Sequence, residues 1–185
     1  MSLSDTAESW LAGHHDDLIA WRRHIHRYPE LGRQEYATTQ FVAERLADAG
    51  LNPKVLPGGT GLICDMGPEH EPRIALRADM DALPMAERTG APYASTMPNV
   101  AHACGHDAHT AILLGTALAL ASVPELPVGV RLIFQAAEVI GPCRTAILPT
   151  SSRGSQCRAK IRDTPAKTPA AMASIAPPGI NSSAA

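Results

Sequence analysis

The chain has 185 residues, of which 45% are hydrophobic and 18% are charged, and its formal net charge at pH 7 is −2. This length and composition suffice for a globular domain with a buried core, and they exclude a collagen-like, coiled-coil or wholly disordered chain. A charge near zero and an aromatic content of only 4% argue against binding to nucleic acid or to an acidic membrane surface.

The N-terminal segment contains acidic residues but no basic stretch followed by an apolar run, so it does not resemble a secretory signal peptide. No part of the chain approaches the roughly 20 consecutive apolar residues of a membrane span. Four cysteines in this length do not make a disulfide framework. We therefore expect a soluble, cytoplasmic protein with no membrane partner.

Helices and short strands alternate along residues 1–138. Asp5 followed by Glu8 predicts the N-terminal cap of a helix that continues, through apolar residues at helical spacing, to a stop at Pro29. Further along we predict a helix over 34–49, strands over 54–56, 62–66 and 74–76, a long apolar helix over 108–123 and a strand over 128–134. This alternation predicts an α/β protein whose sheet is buried on both faces.

The composition changes abruptly after Glu138. Residues 1–138 contain 10 Lys+Arg and 17 Asp+Glu, a net charge of −7, whereas residues 139–185 contain 6 Lys+Arg and one acid, a net charge of +5. Ala, Pro, Ser and Thr make up 25 of the last 47 residues. Such a segment buries little apolar surface, so we expect a partial catalytic domain over 1–138 and a disordered, low-complexity tail over 139–185.

The strongest chemical signal is the segment Ala-His-Ala-Cys-Gly-His-Asp-Ala-His at 101–109, just before the long apolar helix. Gly105 permits a tight turn in which Cys104 and His106 converge on one ion. A thiolate and an imidazole suit Zn²⁺, Mn²⁺ or Co²⁺. The alternative is a structural cysteine beside surface histidines. A thiol hydrolase with Cys104 as nucleophile is a further alternative, although residues two apart on a turn rarely face each other.

Carboxylates follow two of the predicted strands. Asp79 and Asp81 come directly after the strand that ends near Leu76, and either could hold a ligating imidazole by a hydrogen bond. Glu138 follows the strand over 128–134 and could accept a proton from a water near a metal ion. Each could instead be an ordinary charged residue of a loop. His24 and His26 face different directions on the first helix, so we do not expect them to form a ligand pair.

Taken together, these segments resemble the aminoacylase and hippurate hydrolase group of metal-dependent amidohydrolases, within the aminoacylase–carboxypeptidase metallopeptidase family. The resemblance rests on five ordered segments, Trp-Arg-Arg-His-Ile-His-Arg-Tyr-Pro-Glu-Leu-Gly at 21–32, Gly-Thr-Gly at 59–61, Leu-Arg-Ala-Asp-Met-Asp-Ala-Leu-Pro at 76–84, His-Ala-Cys-Gly-His-Asp-Ala-His at 102–109 and Gln-Ala-Ala-Glu at 135–138. It covers about residues 10–138.

The resemblance implies a doubly wound catalytic domain, interrupted by a smaller lid and dimerisation domain, in a homodimeric enzyme about twice as long as this chain. It implies two divalent metal ions (Zn, Mn or Co), with Cys104 and His106 as ligands. Asp81 matches the acid that orients the site, and Glu138 matches the general base. The implied reaction is hydrolysis of the amide bond of an N-acyl amino acid or a related small amide.

The chain departs from the family pattern after Glu138. Val139 stands where the family has a second, metal-ligating Glu, and no histidine follows His109. We expect that the reading frame changes after Glu138, that the lid and dimerisation domain is missing, and that the truncated chain is inactive. The alternative is a non-catalytic remnant, or a fragment that needs a partner chain.

Overall fold

The computed structural model describes residues 2–69 and 73–138, and the tail predicted for 139–185 lies outside them. The described residues form four helices, α1 (Leu3–Gly13), α2 (His15–Arg27), α3 (Tyr36–Asp48) and α4 (His106–Ala121), and four strands, β1 (Lys54–Val55), β2 (Leu62–Met66), β3 (Arg73–Asp79) and β4 (Gly129–Gln135). Within these residues, no helix has the length and apolar character needed to cross a membrane.

The first helical stretch is two helices and not the single one predicted. His14 closes α1 and precedes α2 with non-helical dihedral angles (φ −119°, ψ 19°), and its ring stacks on Trp10 with ring centroids 4.0 Å apart. The predicted cap was wrong by one turn. Ser2 is the N-terminal cap and accepts from the backbone N–H of Asp5, while the Asp5 carboxylate accepts from the backbone N–H of Ser2. The same capping-box chemistry therefore operates three residues earlier than expected.

The strands form one mixed sheet in the order β1-β2-β4-β3. β2 pairs antiparallel with both β1 and β4, whereas β3 and β4 are parallel and are connected through α4. The burial prediction holds best for the central strands: β2 and β4 alternate between buried and half-buried positions, while the first half of β3 is largely exposed, with Ile74 at 54%. The predicted α/β class is confirmed. The predicted burial of both faces of the sheet holds less well, because part of β3 is exposed.

The core lies between α4 and the sheet. α4 is apolar on almost every side, as expected of a buried helix, and Leu114 on α4 is fully buried. Leu132 and Phe134 of β4, also fully buried, belong to the same hydrophobic cluster, as does Cys64 of β2. This packing fixes α4 against the two parallel strands, and so sets where the N-terminus of the helix meets the ends of the strands.

Two boundaries differ from prediction where it matters for the site. β3 continues to Asp79, and α4 begins at His106 and not at Ala108. Gly105 precedes the helix in the left-handed conformation (φ 84°) that the predicted turn required. The predicted ligand His106 is therefore the first residue of a helix, and Asp79 is the last residue of a strand.

Candidate functional site

The candidate site lies where the carboxyl end of β3 meets the N-terminus of α4. The hydroxyl of Thr110 on α4 donates to the backbone carbonyl of Asp79 (2.9 Å), and both residues are buried. This bond ties the first turn of the helix to the last residue of the strand. Crevices at the carboxyl ends of strands are the usual position of ligand sites in α/β proteins.

Three side chains at this junction present potential metal ligands. One potential ligand atom from each of Asp79, His106 and His109 lies within 4.8 Å of the others. Among the residues that the structure describes, this is the group of three His, Cys, Asp or Glu side chains close enough to share a metal ion. Asp79 Oδ1 lies 2.6 Å from His109 Nδ1, and Asp79 Oδ2 lies 3.7 Å from His106 Nε2. Burial opposes ionisation of Asp79, but the hydrogen bond with His109 and the positive charges around it keep the pKa of Asp79 below its usual value.

Asp81 holds the imidazole of His106 from the other side. His106 Nδ1 lies 2.8 Å from the backbone carbonyl oxygen of Asp81 and 3.2 Å from its carboxylate Oδ1. A carbonyl oxygen only accepts hydrogen bonds, so Nδ1 carries the proton, and in the neutral ring the lone pair is on Nε2. Nε2 is the atom nearest Asp79. The ring is thus oriented by hydrogen bonds of the kind that carboxylates and carbonyls make to metal-binding histidines.

The other two predicted residues are placed near the same edge of the sheet but outside this grouping. Cys104 is exposed and lies two residues before His106. Glu138 is exposed and follows β4, whose last residue, Gln135, pairs with Asp79 in the parallel register. The roles predicted for Cys104 as a ligand and Glu138 as a base stay predictions.

A second polar network supports the site from behind. His26 Nδ1 lies 2.7 Å from Asp107 Oδ2, and His26 Nε2 lies 3.0 Å from Glu87 Oε1. Arg22 Nε donates to Asp107 Oδ2 at 2.7 Å, and the Asp107 side chain is fully buried. Burial alone would raise the pKa of Glu87, but bonds from the backbone N–H of Ser95, from a neighbouring hydroxyl and from His26 lower it to about 2. His24 is exposed, and its ring stacks on that of Phe41 with ring centroids 4.5 Å apart.

A cavity of about 550 Å³ adjoins this network. Its wall includes His26, Met85, Glu87 and His102. His102 is 4% exposed, and neither of its ring nitrogens has a hydrogen-bond partner among the described residues. Burial lowers the pKa of His102 to about 4, so the ring is neutral at pH 7 and offers one donor and one acceptor. The ring of His102 thus lines the cavity, while its two nitrogens are buried and unpartnered among the described residues.

Sequence reasoning missed several residues of this site. His109 lies in the segment at 101–109, but it was given no role. Asp107 lies in the same segment, and that position was a signal from which it could have been identified as the buried partner of His26. Glu87 has no local signal, because its partner His26 is 61 positions away along the chain.

Comparison with known families places this geometry in context. Residues 75–159 match the model of a family described as peptidase family M20/M25/M40. The match includes the ends of β3 and β4 and the whole of α4, and it runs past Glu138, where we expect the reading frame to change. The expected frame change therefore stays a prediction.

Several curated relatives match a longer stretch of the chain. The chain is 54% identical over 125 residues to a putative glutamate–cysteine ligase of Rhodococcus jostii, covering 68% of this chain and 16% of that protein. It is 47% identical over 133 residues to an N-acetyl-L-cysteine deacetylase of Bacillus subtilis (71% and 32%) and 45% identical over 128 residues to an N-acyl-L-amino acid amidohydrolase of Geobacillus stearothermophilus (68% and 35%). The chain thus spans about a third or less of the length of these relatives.

A solved structure shares the fold. The Bacillus subtilis protein YXEP, described as a dinuclear metal-binding peptidase from the M20 family, aligns with a TM-score of 0.64 at 42% sequence identity, over 68% of this chain and 36% of that one.

Proposed function

The chain belongs to peptidase family M20, and from this premise we propose that its site is built for metal-dependent hydrolysis of the amide bond of an N-acyl amino acid or a related small amide. Two relatives are named for this chemistry, an N-acetyl-L-cysteine deacetylase and an N-acyl-L-amino acid amidohydrolase. Because the chain spans only part of the length of these relatives, we infer the activity from the geometry of the site and not from the names of the relatives.

The observation that carries the proposal is the orientation of His106. Its Nδ1 is held by Asp81 at 2.8 and 3.2 Å, which leaves the Nε2 lone pair directed toward Asp79. Imidazole nitrogens and carboxylate oxygens are donors that fit Zn²⁺, Mn²⁺ and Co²⁺. The residues present therefore fit a divalent metal ion, with Asp79 and His109 as donors beside His106.

We assign the remaining roles as follows. Cys104, at the turn before α4, would supply a thiolate ligand to the metal ion. Asp81 orients His106 and does not itself touch the metal. Glu138 accepts a proton from the attacking water and delivers it to the nitrogen of the leaving amine. The metal, when bound, supplies Lewis-acid polarisation of the scissile carbonyl.

The substrate is expected to be small and polar at one end. The cavity beside Glu87 and His102 extends to Ala103, next to Cys104. A neutral His102 there can donate one hydrogen bond and accept another, which suits an amide or carboxyl group. We therefore place part of the substrate in this cavity.

We also propose that this chain alone does not turn over substrate. Val139 occupies the position after the proposed base, and its apolar side chain offers no ligand to a metal ion.

The test measures metal binding and hydrolysis separately on the purified chain. After removal of metal with a chelator, calorimetric titration with Zn²⁺ or Mn²⁺ should show binding that is lost in His106→Ala, and an N-acetyl amino acid should not be hydrolysed. Absence of any metal binding by the native chain would contradict the metal site. Hydrolysis that a chelator removes and Mn²⁺ restores would contradict the proposed inactivity, and inactivation by a thiol alkylator without metal dependence would favour a Cys104 nucleophile instead.

A further inference from the structure

Glu35 is a fully buried acid at the start of α3 that is not among the proposed metal ligands. Its side chain is 0% exposed. Oε1 accepts the backbone N–H of Ala137 at 2.8 Å, and Oε2 has no hydrogen-bond partner among the described residues. A buried carboxyl with one unsatisfied oxygen is costly, so packing alone does not account for an acid here.

The backbone that Glu35 holds is strained. Ala137 has φ +57°, in the left-handed region that non-glycine residues rarely adopt. Such a conformation persists only where surrounding groups impose it. The side chain of Glu35 accepts a hydrogen bond from the N–H of this residue, and the next residue is Glu138.

The segment that carries Glu35 also forms hydrogen bonds with the two neighbouring loops. The backbone carbonyl of Glu30 accepts from the N–H of Ala82, next to Asp81, at 2.8 Å. Thr39 Oγ1 accepts from the N–H of Gly61 at 2.9 Å, and Gly61 in turn lies so close to the carbonyl of Phe134 that an added Cβ would be 2.9 Å from that oxygen. Residues 30–39 thus connect the loop after β3 with the end of β4.

We propose that Glu35 is a positioning residue that fixes the left-handed turn at Ala137 and thereby sets where the carboxylate of Glu138 lies relative to His106 and Asp79. The proposal rests on the proposed function only in treating Glu138 as the base. Burial and the nearby charge of Asp81 raise the pKa of Glu35 above its usual value, although backbone hydrogen bonds oppose this.

The test compares two variants of the full chain. Glu35→Gln keeps a carbonyl oxygen that can accept from Ala137, and Glu35→Ala removes it. Amide hydrogen exchange at Ala137, measured by NMR, should be about tenfold faster in Glu35→Ala, the effect of losing one hydrogen bond, and close to native in Glu35→Gln. The amide of Thr39 is the internal control, because it bonds to the backbone oxygen of Glu35 (2.9 Å), which both variants keep.

Three exchange outcomes would overturn the positioning role. These are unchanged exchange at Ala137 in Glu35→Ala, equal acceleration in both variants, and equal acceleration at Thr39, which would mean general unfolding. Paramagnetic broadening of the Glu138 carboxyl resonance by added Mn²⁺ should be strong in the native chain and Glu35→Gln and weaker in Glu35→Ala. If the exchange results are as expected but Mn²⁺ does not bind, then the proposed function fails and the contact at Ala137 stands. If Mn²⁺ binds and Glu138 broadens equally in all three proteins, then the positioning role fails.

Discussion

Replacing Asp81 with Asn separates a residue that orients a metal ligand from one that binds the metal. The His106 ring has two acceptors at Asp81, the backbone carbonyl at 2.8 Å and the carboxylate at 3.2 Å. The substitution leaves the carbonyl in place and substitutes a neutral group of the same shape for the carboxylate. The proton therefore stays on Nδ1, and the Nε2 lone pair keeps its direction.

The expected loss follows from what the substitution removes. Changing a partner of a metal-binding histidine costs about 10- to 100-fold in affinity. Since the shorter of the two bonds survives in Asp81→Asn, we expect the lower end, about tenfold, or ~1.4 kcal/mol. Asp79→Asn removes the charge of a proposed ligand and should cost more, at least about 100-fold. His106→Ala should abolish measurable binding.

The measurement is calorimetric titration of the metal-free proteins with Zn²⁺ at pH 7, with thermal unfolding of each variant as the control for folding. The graded order, with Asp81→Asn weakened least and His106→Ala most, is the result that the geometry requires. An affinity of Asp81→Asn equal to that of the native chain, or lost as completely as in His106→Ala, would refute the orienting role. Cys104→Ser belongs in the same series, because an unchanged affinity there would remove Cys104 from the ligand set.

Three further predictions concern stability. Hydrogen bonds hold the pKa of Glu87 at about 2, against 4.5 for an ordinary Glu, so they stabilise the fold above pH 4.5, and this contribution is lost as the pH falls from about 4.5 to about 2. Across that range, the unfolding midpoint of Glu87→Gln should therefore change less than that of the native chain. An equal change in both proteins would contradict the assignment. Gly61 and Gly50 both have positive φ (+73° and +78°), but of the two only Gly61 has backbone atoms where an added Cβ would lie. In denaturant unfolding, Gly50→Ala should lower the free energy of unfolding by the ~1 kcal/mol of left-handed strain, and Gly61→Ala should lower it by more. Equal losses would contradict the close approach at Gly61. Leu114→Ala should lower the free energy of unfolding by about 2–5 kcal/mol. Ile112 on the same helix is 65% exposed, so Ile112→Ala should change that free energy by no more than ~0.5 kcal/mol. Similar losses in the two variants would contradict the placement of the core.

The sequence by itself identified, along the chain, the polar side chains of the candidate site. The Cys-Gly-His turn, the apolar helix behind it and the carboxylates after two strands are local patterns, and local geometry decides which neighbouring residues can share a turn. His106 and Asp81 were predicted from such patterns, and they are hydrogen-bonded to each other. The helix boundary at His106 was missed by two residues, because capping depends on backbone angles that spacing alone does not reveal.

Only the tertiary structure decided which distant groups serve each residue. Asp107 meets His26 across 81 positions of sequence, and Glu35 meets Ala137 across 102. No periodicity encodes such pairs, since they arise when α2 and α3 pack against α4 and the ends of the strands. Burial then gives these contacts their importance, because a polar group removed from water must find its partner inside the protein.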